Sequence, residues 1–158
     1  MLKIYILGAT GYIGSILTRE LSKIFAYVVP VYRTMINDLT NTGEVVSFFR
    51  NKREKGAKII VINCAASGGK QELGQYNTEQ LWNNLKINDN IMTLDGTIDF
   101  HINIASGAEM DISDEISDVT EMSLLYSLPK DSYGLSKNLI AKRIVGKENT
   151  LNLRLFGC

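Results

Sequence analysis

Tyr133 and Lys137 stand four residues apart in Tyr133-Gly134-Leu135-Ser136-Lys137, the spacing that puts two side chains on one face of a helix. A tyrosine hydroxyl, with a pKa of about 10, is a poor base near neutrality. An adjacent ammonium favours the phenolate, so the pair makes a usable proton donor and acceptor. Ser106, just past an apolar run, is positioned to hydrogen-bond the same substrate oxygen from the other side. Taken alone, the Tyr/Lys spacing is equally that of an exposed helical pair. The order of a glycine loop, a serine after a strand and a helical Tyr/Lys pair points to Ser106, Tyr133 and Lys137 as candidate catalytic residues.

The glycine loop is Gly8-Ala9-Thr10-Gly11-Tyr12-Ile13-Gly14, with its glycines three apart. It sits between an apolar run and a helical pattern, the context in which such a loop binds a dinucleotide. Glycine lets main chain approach a pyrophosphate closely, and the next helix offers unsatisfied N–H groups and the positive end of its dipole. Gly8, Gly11, Tyr12, Ile13 and Gly14 are therefore the candidate cradle; the other reading is an ordinary, tightly packed strand–helix turn. The second apolar run ends Val31-Tyr32-Arg33. An acidic residue there would bond an adenosine ribose and repel a 2′-phosphate. Arg33 stands in its place, which favours NADP over NAD, unless Arg33 is simply a solvated strand end.

Alternating strands and helices must position these groups. Leu2–Leu7 reads as a strand buried on both faces. Gly11–Ile24 carries Ile13, Ile16, Leu17, Leu21 and Ile24 on one helical face. Tyr27–Tyr32 is β-branched and aromatic, with Pro30 marking an irregularity. Thr42–Lys55 is a helix whose basic end, KREK, reads as a solvated C-terminus complementing the macrodipole; a basic binding patch is the other reading. Ala57–Asn63 is a strand, Thr78–Leu94 a helix, Ile98–Ala105 a strand, Ser132–Val145 a helix and Thr150–Phe156 a strand. This order gives an α/β fold: a doubly wound parallel sheet of about six strands with helices on both faces and ligands at the carboxyl ends of the strands.

The glycine loop, Ser106 and Tyr133/Lys137 together resemble the short-chain dehydrogenase/reductase superfamily, in its extended, nucleotide-sugar-modifying branch of epimerases and dehydratases. Asp38-Leu39 is similar to the pair that touches the adenine ring, and Asn63-Cys64-Ala65-Ala66 to the loop along the cofactor. Asn84, with Asn90-Ile91-Met92 behind it, resembles the helix leading into the family's fifth strand. Leu153-Arg154-Leu155-Phe156-Gly157 resembles its sixth strand and the opening of its substrate loop. The stretch from Arg33-Thr34 to Asn41 is most similar to sugar-nucleotide reductases.

The resemblance implies a Rossmann-like domain that exchanges a hydride between NAD(P) and a nucleotide sugar. It implies that Tyr133 moves the proton, that Lys137 tunes it and holds the nicotinamide ribose, and that Ser106 orients the carbonyl. Asp38, Leu39, Cys64, Ala65, Ala66 and Asn84 join the implied cofactor contacts. It also implies a homodimer through the helices around 78–94 and 132–145. Two departures stand out. Only Thr34–Asn37 separates the second strand from Asp38-Leu39, so the family's third strand must be very short or absent. Residues 1–158 match the dinucleotide-binding domain alone, so the C-terminal substrate domain is expected to be missing. A non-catalytic dinucleotide-binding module, acting as a sensor or interaction protein, is the alternative function.

Composition narrows the field further. The chain has 158 residues, enough for one domain. Seventeen Lys+Arg balance seventeen Asp+Glu, which argues against a nucleic-acid coat or a polybasic membrane binder. No apolar run approaches the roughly 18 residues that span a bilayer. Cys64 and Cys158 give neither a disulfide framework nor paired metal-ligand spacing, so a cytoplasmic setting is expected. The acidic stretch from Glu109 to Glu121 has no metal-ligand spacing and reads as a solvated connection. His101 and Trp82 read as packing residues, and no metal site is expected.

Overall fold

The computed structural model describes residues 1–68, 76–110 and 120–156. Asp111, Asp114, Glu115 and Asp118 of the acidic stretch lie outside the described residues, as do Gly157 and Cys158.

The described chain runs β1 (Leu2–Leu7), α1 (Tyr12–Leu21), β2 (Val28–Val31), α2 (Thr42–Arg50), β3 (Lys58–Asn63), α3 (Thr78–Met92) and β4 (Phe100–Ser106). A 3-10 turn (Gly107–Glu109), α4 (Ser123–Tyr126), α5 (Ser132–Ile144) and β5 (Thr150–Leu155) complete it. The strands form one parallel sheet in the order β2-β1-β3-β4-β5. The described sheet thus has five strands rather than about six. The difference lies beyond β2, where the chain turns back on itself through bonds from the Met35 and Ile36 amides to the Tyr32 carbonyl. Ile36 then plugs the core instead of extending the sheet.

Alternation along the strands builds two cores. Ile4 and Ile6 of β1 join Ile62 and Ile104 under Ile13, Leu17 and Leu21 of α1. Tyr5 and Leu7 join Ile59 and Val61 under Val45 and Phe49 of α2 and Ile87 and Ile91 of α3. Burial on both faces explains why the central strands read as continuous apolar runs. Pro30 is accommodated because β2 is an outer strand. The basic run after α2 is not helical: α2 ends at Arg50, and α1 likewise ends at Leu21 rather than Ile24. β5 is the outermost strand on the other side, with Leu151 and Leu153 nearly half exposed.

The sheet order reverses between β1 and β3, and this places the site. Chains leave the carboxyl ends of these two strands in opposite directions and open a crevice between them. Gly8 and Cys64, the residues that follow β1 and β3, face that crevice.

Candidate active site

The four long helices begin differently. Asn41, Asn77 and Asp131 cap α2, α3 and α5 with side-chain bonds to Glu44, Gln80 and Gly134 amides. Gly11, at the start of α1, has no side chain to do so. The first N–H groups of α1 therefore remain available to an anion. Gly8 holds φ at +72°, and a Cβ there would lie 2.7 Å from the Ala65 nitrogen. The loop needs glycine both for its backbone turn and for its approach to the strand beside it.

Two cavities meet along this crevice. One, of about 480 Å³, is lined by Gly8, Gly11, Arg33, Asp38, Leu39, Cys64, Ala65 and Ala66, with Asn83 and Ile87 from α3. The other, of about 690 Å³, is lined by Tyr12, Ile13, Cys64, Ala66, Ser106, Tyr133 and Lys137, with Met110, Glu121, Arg154 and Phe156 at its far side. Cys64 and Ala66 line both, so the glycine-loop end and the tyrosine end form one groove. Of the residues proposed from sequence to touch a cofactor, Gly14 and Asn84 do not line either cavity. Gly14 is buried against Gly8. Asn84 is buried too: its carbonyl accepts from the Ser67 amide at 2.6 Å and its amide donates to Ser136 Oγ at 3.1 Å. It braces the loop after β3 against α5, while its neighbour Asn83 faces the groove.

At the glycine-loop end, Asp38 accepts from the backbone N–H and hydroxyl of Thr40, which hold its carboxyl below the usual range, aided by the Arg33 charge. Both side chains are exposed and carry opposite charges into the same cavity.

At the other end, Ser106 closes β4 and sets its hydroxyl near the Tyr133 phenol. Lys137 is 5% exposed; its Nζ donates to the Ile104 carbonyl at 3.1 Å and stands 5.7 Å from the centre of the Tyr133 ring. Burial pulls its ammonium below the ordinary lysine value, against the Glu109 charge. The four-residue spacing predicts that Lys137 lowers the phenol pKa. Instead burial raises it, the nearby Ser106 hydroxyl opposes this, and the Glu109 and Asp131 charges raise it further. Burial also pushes the Cys64 thiol up to about 11.

Sequence reasoning passed over Glu109 and Arg154 as functional groups. Glu109 is fully buried and pairs with Arg154, whose Nη1 also reaches Glu121 at 2.8 Å. The available signal was an arginine inside the apolar run TLNLRLF, which needs an acidic partner if its strand is packed.

Among the described residues, no helix is long and apolar enough to cross a membrane. No curated protein matches this chain in a sequence search. Among solved structures it is similar to a GDP-mannoheptose C4 reductase from Campylobacter jejuni with NADP bound, at 22% identity and a TM-score of 0.76, covering 98% of this chain and 51% of that one. It is also similar to a dTDP-4-dehydrorhamnose reductase from Yersinia enterocolitica, at 21% identity and TM-score 0.77, covering 99% and 53%. A GDP-L-fucose synthetase from Naegleria fowleri bound to NADP is similar at 18% identity and TM-score 0.71, covering 98% and 49%. The chain spans about half the length of these structures, and the likeness is one of fold. The family comparison matches residues 4–154, nearly the whole chain, and by it the chain belongs to the NAD dependent epimerase/dehydratase family.

Proposed function

We propose that residues 1–158 are the dinucleotide-binding domain of a nucleotide-sugar oxidoreductase, epimerase or dehydratase that prefers NADP. The observation that carries this reading is the single groove joining the glycine loop to Ser106, Tyr133 and Lys137 through Cys64 and Ala66. The fit is stereochemical: the cradle is closed to a Cβ at Gly8, and the N-terminus of α1 is uncapped.

When bound, the nicotinamide supplies or accepts the hydride; the protein contributes geometry and a proton path. The α1 N–H groups would hold the diphosphate, and Arg33 would meet a 2′-phosphate. Ser106 and Tyr133 both reach the sugar carbonyl oxygen. For reduction, the Tyr133 phenol would donate its proton to that oxygen. A phenol held protonated by burial suits that direction. Lys137, whose Nζ stands 5.7 Å from the centre of the Tyr133 ring, would hold the nicotinamide ribose.

The same reading includes a homodimer through α3 and α5, which pack together through Leu81, Leu85, Ile140 and Ile144 while Trp82 is 61% exposed on α3. Cys64, in no disulfide among the described residues, fits the cytoplasmic setting of this reading.

The test is binding of NADPH followed by its oxidation with a panel of 4-keto nucleotide sugars. Tyr133→Phe is expected to retain cofactor binding and lose turnover. An active Tyr133→Phe variant overturns the catalytic assignment, and NADPH binding without turnover of any panel member favours a non-catalytic dinucleotide-binding module.

A further inference from the structure

Three neighbouring strands each carry an asparagine at the same level, buried at Asn63 and Asn103 and half-buried at Asn152: Asn63 of β3 is in register with Asn103 of β4, and Asn103 with Asn152 of β5. The Ala65 amide donates to Asn63 Oδ1 at 3.1 Å, Asn63 Nδ2 to Asn103 Oδ1 at 3.2 Å, and Asn103 Nδ2 to Asn152 Oδ1 at 2.7 Å. Asn152 Nδ2 then donates to the Glu109 carboxylate at 3.1 Å. Every donor points the same way, and the row ends on an anion. Buried amides cost stability unless paired, and aligned ones polarise each other.

The row begins at the floor of the cofactor-side cavity and ends beside the tyrosine. Arg154 closes it, with Nε and Nη2 each 2.9 Å from Glu109 Oε2. A buried ion pair is weak evidence of stabilisation, because apolar replacements are often as stable. Its placement suggests a different purpose. Glu109 ends the 3-10 turn that follows Ser106, and its carbonyl accepts from Asn138 Nδ2 at 2.8 Å, next to Lys137 on α5. One residue earlier, the Ala108 carbonyl lies where a Cβ on Gly134 would be 2.6 Å away. This turn therefore sets the spacing between the Ser106 strand and the Tyr133 helix.

We propose that Glu109 is a positioning residue: clamped by Arg154 and the asparagine row, it fixes the Ser106 turn against α5 and places one negative charge beside Tyr133 and Lys137. The inference deepens the function proposed above and rests on it for its catalytic consequence. Charged and titratable groups facing the phenol are Glu109 from the turn, Asp131 and Lys137 from α5 and, across the cavity, Cys64, Glu121 and Arg154, with the neutral Ser106 hydroxyl beside it. Those facing the ammonium are Glu109 and Cys64. The Glu109 charge raises both pKa values, so its removal lowers both.

The experiment is Glu109→Gln in the full chain, read by ultraviolet titration of the phenol. Because the chain has seven tyrosines, the Tyr133 signal is taken as the difference from a matching Tyr133→Phe background. The expected result is a downward shift of the Tyr133 titration, with NADPH binding kept. With a keto-sugar substrate, kcat falls about tenfold to a hundredfold, as misplacement of catalytic groups does, and the alkaline limb of the pH profile moves to lower pH. A titration identical to that of the unmodified protein overturns the inference. The titration needs no substrate, so it stands apart from failure of the unmodified protein to turn over any nucleotide sugar. If the Gln variant does not fold, Glu109→Asp keeps the charge on a shorter arm: the phenol titration is expected to stay in place while kcat falls, and an unchanged kcat overturns the inference.

Discussion

Gly14 packs so closely on Gly8 that a Cβ on Gly14 would stand 2.2 Å from the Gly8 carbonyl oxygen. In an open helix, Gly→Ala would gain about 1 kcal/mol of propensity. Here the obstacle is backbone, which cannot rotate away, and overpacking of this kind costs about 1–3 kcal/mol. Gly14→Ala is therefore expected to lower the urea midpoint and to weaken dinucleotide binding by displacing the loop. A midpoint equal to or above that of the unmodified protein contradicts the packing argument.

Arg33 and Asp38 carry opposite charges into one cavity. Arg33→Ala should weaken NADP binding about tenfold, the low end for a charge-assisted bond at an exposed position, and leave NAD nearly unaffected. Asp38→Asn should strengthen NADP binding by removing repulsion. Titration calorimetry with both dinucleotides checks this; an equal loss for both on Arg33→Ala removes Arg33 from phosphate recognition.

His101 is buried on β4 with no hydrogen-bond partner for either ring nitrogen among the described residues, and burial lowers its pKa from 6.5 to about 4. Between these values the unfolded chain binds more protons than the folded one. The stability contributed by neutral His101 is complete above about pH 6.5 and is lost as pH falls towards 4, by up to roughly 3 kcal/mol. His101→Leu should flatten this part of the profile. Denaturation midpoints of both proteins across that range decide it, and parallel profiles would mean that His101 does not titrate on unfolding.

Cys64 faces both cavities, yet its thiol is pushed up to about 11 from 9.0. The thiolate is the nucleophile, so alkylation at neutral pH should run about a hundredfold slower than that of an ordinary exposed thiol, as two pKa units imply. Peptide mapping after timed iodoacetamide treatment measures it. NADPH should slow it further, and labelling at an ordinary rate would place Cys64 outside the buried groove.

Most of the framework was legible because burial on both faces leaves a plain trace. The five strands and four long helices coincide with the apolar runs and helical patterns, within a few residues at their ends. The turn at Tyr32–Ile36 was legible only as a shortage of residues, since four positions cannot show a period. At the site, the glycine loop, Ser106, Tyr133 and Lys137 could be read because each follows a strand or opens a helix. Arg154 leaves one trace, a charge inside an apolar run, but Glu109 and the asparagine row leave none. Asn63, Asn103 and Asn152 look like isolated polar interruptions in three apolar runs, and only strand register brings them into line. The sign of the Tyr133 pKa shift was misread for a related reason: spacing reports which groups are near, but not how deeply a ring is buried.

β5 lies at the rim of the described sheet, so its outward amides and carbonyls have no neighbouring strand, while Leu151 and Leu153 stay nearly half open to solvent. Such a rim is a template for a stray extended chain. On its own this polypeptide should tend to self-associate as its concentration rises, and a lysine at position 153 should act as a gatekeeper that keeps it in solution.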